Sequence, residues 1–95
     1  MGKKELTKMK RRVKTLQNQL GNLGPVMRGS VVIIGTRNKQ PYFSLNKNKK
    51  TRLIYLGKKR EDKAREYSKN YRKLLEIVEE MTIINMKLLK ENSCL

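Results

Sequence analysis

Apolar residues recur along the first part of the chain at alternating spacings of three and four. Their positions are Leu6, Met9, Val13, Leu16, Leu20 and Leu23. This spacing is typical of an amphipathic helix that packs against a second helix. Gly21, Gly24 and Pro25 supply a stop after it. The pattern therefore predicts a helix over residues 3–21, with an apolar stripe that another surface must cover.

A second stripe with the same spacing runs through the last third of the chain. Its members are Ala64, Tyr67, Tyr71, Leu74, Val78, Met81, Asn85 and Leu88. It predicts a long helix over residues 61–91, with Glu61 and Asp62 in the first turn, where the helix dipole favours negative charge. The apolar residues that flank the stripe are Leu75, Ile77, Ile84 and Leu89. They widen it, which favours contact with more than one helix.

The segment between the two predicted helices, residues 30–56, is rich in β-branched and alternating apolar residues. The predicted strands are Ser30–Thr36, Tyr42–Asn46 and Thr51–Leu56, with loops at Arg37–Pro41 and Lys47–Lys50. We therefore expect one small α+β domain spanning residues 1–95. In it a basic three-stranded antiparallel meander is flanked by two helices that pack as a helical hairpin or coiled coil.

Positive charge is concentrated in the first two thirds of the chain. The formal net charge of +16 belongs entirely to residues 1–60, because the charges of residues 61–95 sum to zero. Residues 28–60 contain ten basic residues and no acidic one. Such an imbalance is typical of proteins whose partner is a polyanion: DNA, RNA or a nucleoprotein.

The candidate contact residues are the cations of the predicted meander and of the segment that follows it. They are Arg37, Lys39, Lys47, Lys49, Lys50, Arg52, Lys58, Lys59 and Arg60. Arg, Asn and Gln side chains can contact base edges, whereas Lys mainly contacts phosphate. A sheet laid in the major groove of DNA would present Tyr42, Ser44 and Arg52. A single strand would instead stack its bases on Tyr42 or Tyr55.

The candidate helix interface lies in the last helix. Its residues are Leu74, Val78, Met81, Asn85 and Leu88. Asn85 falls at a core position of the stripe, where a lone Asn fixes the register and the number of helices. We therefore expect a homodimer through this helix, the alternative being an Asn that is simply exposed at the helix end.

Composition excludes several kinds of chemistry. The sequence has no His and a single Cys, Cys94, which excludes a disulfide within the chain, a Cys/His metal site and a His-dependent catalytic triad. We therefore expect no enzymatic activity and no cofactor, with Cys94 a free thiol. The longest apolar run, Val31–Ile34, is too short to span a membrane, and we expect a cytoplasmic protein that does not bind membranes.

Two family resemblances follow from these segments. Thr51–Lys73 resembles the arm-type DNA-binding domain of tyrosine recombinases, and the matching positions are Arg52, Gly57, Ala64 and Arg65. That resemblance implies a three-stranded sheet inserted in the major groove and braced by the following helix.

A longer segment, roughly residues 27–89, is similar to small uncharacterised proteins of prokaryotic mobile elements and phages. The matches are Arg28-Gly29-Ser30, Pro41-Tyr42, Thr51-Arg52, Tyr55, Tyr71-Arg72-Lys73-Leu74 and Ile84-Asn85. Many members of that group carry a cysteine cluster between the first two strands, where this chain has Gly35–Gln40, so no metal is implied. The resemblance implies a phage or mobile-element context, inside a prokaryotic cell.

These observations favour a non-enzymatic nucleic-acid-binding protein, with DNA the expected target and RNA the alternative. A basic hairpin would make the contact, and the last helix would carry assembly. The rival hypothesis is a protein-interaction module, such as a phage-borne inhibitor that binds a host nucleoprotein or nuclease.

Overall fold

The structure, a computed structural model, describes residues 2–91. Its elements are, in chain order, α1 (Lys3–Gly21), β1 (Ser30–Ile34), β2 (Gln40–Lys47), β3 (Lys50–Tyr55) and α2 (Gly57–Glu91). Within these residues, two helices and one antiparallel sheet of order β1-β2-β3 confirm the α+β prediction. The predicted free thiol Cys94 lies outside the described residues. The chain divides into two compact units, which are described in turn.

The first unit is a helical hairpin formed by α1 and the part of α2 from Lys73 onwards. Leu16 of α1 and Ile77 of α2 are buried in it, with only 1% and 4% of their surfaces exposed. Leu6, Met9 and Val13 of the α1 stripe are half-buried, whereas the residues between them are exposed. This pattern confirms the predicted stripe as far as Leu16; beyond it Leu23 is half-buried but Leu20 is exposed.

An ion pair links the two helices of the hairpin. Arg12 donates from Nε to one carboxylate oxygen of Glu80 and from Nη2 to the other, the second bond measuring 3.0 Å. The hydrogen bond from Arg12, assisted by the guanidinium charge and opposed by partial desolvation, lowers the pKa of Glu80. The buried Leu16 follows Arg12 by about one turn, whereas the buried Ile77 precedes Glu80 by about one turn. The two helices of the hairpin therefore run antiparallel.

The covered face of α2 in this hairpin is rotated from the predicted stripe. Its buried and half-buried apolar residues are Leu74, Ile77, Met81, Ile84 and Leu88. Val78, 47% exposed, and Asn85, also exposed, lie outside it, so these two predicted interface residues are not covered by α1. Ile77 and Ile84 take those places because they bury more apolar surface and no polar amide. Contact of Val78 and Asn85 with a second chain stays a prediction.

The second unit, Gly24–Arg72, contains the sheet and the first part of α2. Residues paired directly across antiparallel strands share a face of the sheet. One face, here called the core face, consists of Val31, Ile33, Pro41, Phe43, Leu45, Lys47, Lys50, Arg52 and Ile54. The other, here called the open face, consists of Ser30, Val32, Ile34, Gln40, Tyr42, Ser44, Asn46, Thr51, Leu53 and Tyr55.

The core of this unit lies between the core face and α2. The buried residues Phe43, Leu56 and Ala64 form one cluster, with Met27, Val31 and Leu45 packed against it. Ala64 belongs to α2, and its small side chain lets the helix lie close to the ring of Phe43. Within the described residues, the open face contributes nothing to this cluster.

Gly29 fits the segment before β1 between α2 and the sheet. Its carbonyl accepts a hydrogen bond of 3.1 Å from Ser68 Oγ, a buried side chain of α2. Its φ of +145° disfavours residues with a side chain, and a β-carbon there would lie 2.6 Å from the Ser44 carbonyl oxygen and 2.7 Å from Phe43 Cζ. The close approach of this segment to the sheet therefore requires glycine.

The last helix begins at Gly57, ahead of the predicted start at Glu61. Gly57 has a φ of +67°, which turns the chain from β3 directly into α2. The first turn of α2 consequently contains Lys58, Lys59 and Arg60. Within the described residues, this turn has no acidic side chain. The expected acidic first turn is wrong. Cations at a helix N-terminus are disfavoured by the helix dipole, so this arrangement costs stability unless an anion binds nearby.

Candidate nucleic-acid interface

The β2–β3 hairpin closes with a turn that holds a cation in an unfavourable backbone conformation. β2 ends at Lys47 and β3 begins at Lys50, so the predicted four-residue loop shrinks to Asn48 and Lys49. Both have positive φ, 54° and 62°, the combination of a type I′ turn. Asn tolerates this conformation, but a Lys β-carbon is strained in it and Gly is the usual second residue. The turn therefore keeps a lysine where glycine would be more stable.

Four cations lie at the closed end of the β2–β3 hairpin. We call this group the hairpin tip, and its members are Lys47, Lys49, Lys50 and Arg52. Lys47 and Lys50 are direct cross-strand partners, an arrangement in which like charges are destabilising. With Asn48, three of the four cations line a shallow cavity of about 280 Å³. Among residues 2–91, none of the four forms an ion pair. The hairpin tip is thus a site of uncompensated positive charge.

Arg52 lies on the core face, apart from Tyr42 and Ser44. It pairs with Leu45, and Leu45 packs against the buried cluster around Phe43. The expectation that one face of the sheet presents Tyr42, Ser44 and Arg52 together is therefore wrong. Strand alternation assigns Arg52 to the lysines of the hairpin tip instead.

The β1–β2 loop carries two more candidates, Arg37 and Lys39, both exposed. Gly35 opens the loop with a φ of +134°, and a β-carbon there would lie 2.4 Å from the Asn38 carbonyl oxygen. Gln40 Nε2, from the first residue of β2, donates to Asn38 Oδ1 at 2.9 Å. Glycine thus permits a tight turn, and the amide pair fixes the loop to the end of β2.

The first turn of α2 contributes Lys58 and Lys59, whose side chains are exposed. Arg60, the third candidate here, has a structural role, since it donates from Nε to the Leu56 carbonyl at 2.9 Å and from Nη2 to the Tyr55 carbonyl at 3.1 Å. Arg60 therefore braces the end of β3 against the helix, and it differs in this from the two freely exposed lysines.

The predicted contact residues of the sheet and its loops form two groups at opposite ends of β2, and Lys58 and Lys59 follow β3 at the Gln40 end, where Leu56 N donates to the Pro41 carbonyl. The hairpin tip lies at the Lys47 end, and the β1–β2 loop lies at the Gln40 end. β2 is 8 residues long, which at a rise of 3.2–3.4 Å per residue separates the groups by about 25 Å. A ligand that contacts both groups must therefore extend along the sheet.

Two tyrosines occupy the open face between these groups. Tyr42 and Tyr55 are cross-strand neighbours whose ring centroids lie 5.5 Å apart with an interplanar angle of 66°. Tyr55 has 49% of its surface exposed, and its hydroxyl donates to Gln40 Oε1 at 3.2 Å. The sequence alone does not decide whether the two rings are packed or exposed. The strand register places them side by side on the open face.

A further basic groove, which the sequence interpretation missed, lies beside β1 in the same unit. Ser30 and Val31 line it together with three cations of α2: Arg65, Lys69 and Arg72. Arg65 is partly engaged, since its Nε donates to Glu61 at 2.8 Å. The spacing of these cations along the helix is the signal that could have found the groove.

Neither a metal centre nor a membrane span is evident in the part of the chain that the structure describes. No three side chains of His, Cys, Asp or Glu among residues 2–91 are grouped to hold a metal ion. Neither α1 nor α2, as described, is long and apolar enough to cross a membrane.

The chain was also compared with known proteins. No protein-family model, no curated protein and no solved structure matches it. The resemblances to recombinase arm domains and to mobile-element proteins therefore stay predictions.

Proposed function

We propose that this protein binds nucleic acid without catalysing a reaction. The observation that carries the proposal is the hairpin tip, where like charges face one another and Lys49 is kept in a strained conformation. Residues 28–60 contain no acidic residue that could offset this repulsion. A polyanion that neutralises the lysines would turn an unfavourable arrangement into binding energy.

Phosphate is the anion that this arrangement suits. Lysine ammonium groups act as point charges toward phosphate oxygens, and the exposed Arg37 adds a planar donor that can bind phosphate or a base edge. Lys58 and Lys59 stand at the start of α2, where backbone N–H groups and the helix dipole also favour anions. We take DNA as the expected target and RNA as the alternative, in a prokaryotic cell that carries a phage or mobile element.

The test is fluorescence anisotropy with labelled duplex and single-stranded probes between 50 and 200 mM salt. If about six phosphates are contacted, affinity should fall by about three orders of magnitude over this range. The variant Lys47→Gln/Lys50→Gln should bind more weakly and reduce the slope of log K against log salt by about two. The matched control, Lys87→Gln/Lys90→Gln, removes the same charge from exposed positions of α2 and should bind like the wild type.

Two results would overturn the proposal. One is the absence of binding to either probe at 50 mM salt. The other is equal weakening by the tip variant and by its control, which would mean that affinity follows net charge alone and that the hairpin tip is not the contact.

An exposed apolar stripe on α2 supports homodimer formation as part of the same proposal. Leu75, Val78, Thr82, Asn85 and Leu89 follow one another at spacings of three and four along the helix, beside the face that packs on α1. The apolar members, Leu75, Val78 and Leu89, are 50%, 47% and 64% exposed. In a pair of α2 helices Asn85 would sit at a core position, where Asn selects the register. A dimer would bring two sets of basic residues to one nucleic acid and so raise its avidity.

The same stripe favours a second candidate function, docking on another protein. An exposed apolar patch is typical of protein interaction sites, and a host nucleoprotein or nuclease would then be the partner. Absorbance separates the candidates, because a Trp-free nucleic-acid binder purified at low salt should carry an excess of absorbance at 260 nm. Nuclease treatment should remove that excess. A ratio unaffected by nuclease, together with capture of one defined protein partner, would favour docking.

A further inference from the structure

We infer that the open face of the sheet is a stacking platform for single-stranded nucleic acid, with Tyr42 and Tyr55 as the residues that contact bases. The inference rests on the proposed function and specifies the form of nucleic acid that is bound. It derives from the separation of charged and uncharged side chains around the sheet.

The open face itself is uncharged, whereas the loops at both of its ends are cationic. None of its strand residues is Asp, Glu, Lys or Arg. Lys49, in the β2–β3 turn, adjoins one end of this face, and Arg37 and Lys39 adjoin the other, about 25 Å away along β2. The other cations of the hairpin tip, Lys47, Lys50 and Arg52, belong to the core face. A single strand has the complementary layout, since its bases can lie on an uncharged surface while its phosphates reach the cations on either side.

The aromatic pair is held in position before any ligand arrives. Tyr55 donates its hydroxyl hydrogen to Gln40 Oε1, and Gln40 in turn donates to Asn38 in the β1–β2 loop. The edge-to-face contact with Tyr42 restrains the ring further. Because the ring of Tyr55 is already oriented and about half exposed, little side-chain entropy is lost when a base stacks on it.

A duplex does not expose base faces to the tyrosines of the open face. Within a duplex the faces of the bases are stacked on one another, and only their edges are accessible in the grooves. Tyrosine rings contact base faces, which an unpaired strand exposes. The residues beside the rings are short and polar, such as Ser44, or apolar, such as Leu53 and Val32. They suit splayed bases better than the charged backbone of a duplex.

The test compares the full chain binding an oligothymidylate or oligouridylate of about 20 nucleotides with a duplex of equal length, at about 150 mM salt. We expect the single strands to bind at least about tenfold more tightly than the duplex. Tyr42→Leu/Tyr55→Leu should lose about tenfold or more in affinity for the single strands and little for the duplex. The matched control is Ile54→Ala, on the same strand and 58% exposed but on the core face, which should leave both affinities unchanged.

Intrinsic fluorescence gives a second readout that requires no variant. The protein has four tyrosines and no Trp, so stacking of bases on Tyr42 and Tyr55 should quench its emission with single strands and leave it nearly unchanged with duplex. Tyr55→Phe, which keeps the ring and removes the bond to Gln40, should retain single-strand binding.

The outcomes distinguish this inference from the function on which it rests. Equal affinity for strand and duplex, with no quenching, would overturn the platform while leaving nucleic-acid binding intact. Binding to neither probe would overturn both. If the double variant does not fold, the quenching of the wild type and the affinity ratio of its two probes decide the matter.

Discussion

Lys47 and Lys50 face each other directly across the β2–β3 hairpin, joined by a turn whose second residue is also a lysine. Directly opposed like charges destabilise a strand pair by about 0.2–1 kcal/mol. The left-handed conformation of Lys49 adds about 1 kcal/mol of strain. Charge repulsion and backbone strain thus both lower the stability of the hairpin tip. Such costs are expected where side chains are retained for binding rather than for folding.

Replacing Lys49 with glycine should change stability and nucleic-acid affinity in opposite directions. Lys49→Gly relieves the left-handed strain and removes one repulsive charge, so the free energy of unfolding should rise by about 0.5–1 kcal/mol. The same change removes a cation from the hairpin tip, so affinity for nucleic acid should fall. Urea unfolding followed by circular dichroism, and anisotropy with the same sample, measure the two effects.

The control for this prediction is the preceding residue of the turn. Asn48→Gly alters a residue with a similar φ of 54° and no charge, so it should change stability slightly and leave affinity as in the wild type. A Lys49→Gly protein that is stabilised but binds normally would show that the lysine serves neither folding nor binding.

The helices and the strand order could be predicted from spacing because each pattern is repeated many times. The stripe through Leu16 was found because apolar residues at alternating spacings of three and four have few alternative explanations. The start of α2 was missed because the acidic Glu61 suggested an N-terminus. The bend at Gly57 begins the helix sooner. A positive φ at a single glycine does not alter the spacing of apolar residues, so this helix start could not be predicted from the pattern.

The candidate site was predictable in composition but not in arrangement. An acid-free basic segment indicates a polyanion partner whatever its fold. The face on which Arg52 lies depends on its pairing with Leu45, and the strand around it has no clean polar side from which that pairing could be read. Likewise Tyr42 and Tyr55 are 13 positions apart in sequence, and only the register of β2 and β3 makes them neighbours.

Gly29 should tolerate substitution poorly, because a side chain there meets both the sheet backbone and the ring of Phe43. Gly29→Ala forces a β-carbon to within 2.6 Å of the Ser44 carbonyl oxygen at a φ of +145°. We expect a loss of about 2 kcal/mol or more in the free energy of unfolding. Gly21→Ala, at the end of α1 where a β-carbon meets nothing within 4 Å, should be neutral or slightly stabilising. Equal unfolding curves for the two variants would contradict the packing described for Gly29.

The Arg12–Glu80 ion pair should make the helical hairpin sensitive to acid. Folding lowers the pKa of Glu80 from its ordinary value of 4.5. Its contribution is therefore fully present above about pH 4.5 and is lost as the pH falls through the lower, folded-state pKa. Glu80→Gln should melt at a lower temperature than the wild type at pH 7, and the difference should shrink as the pH is lowered below 4.5.

The control for this pH dependence is the neighbouring exposed carboxylate. Glu79→Gln removes one negative charge from the same turn of α2 but takes no part in the Arg12–Glu80 pair. Its melting temperature should follow that of the wild type over the same pH range. A Glu80→Gln difference that persists unchanged into acid would show that the pair does not account for it.

The outward stripe of α2 predicts that charge at Val78 prevents dimer formation. Val78→Lys places an ammonium group in the middle of the stripe, where pairing of two helices would bury it at high cost. Ile83→Lys is matched in exposure, 46% against 47%, but lies beside Glu79 and Glu80, off the stripe. Size-exclusion chromatography with light scattering should find a monomer for Val78→Lys and a dimer for Ile83→Lys and the wild type.

Asn85→Leu should tighten association and broaden the range of oligomers, because the residue that selects register is gone. A wild type that is monomeric at every concentration would leave the stripe without a homodimer role and favour docking on another protein.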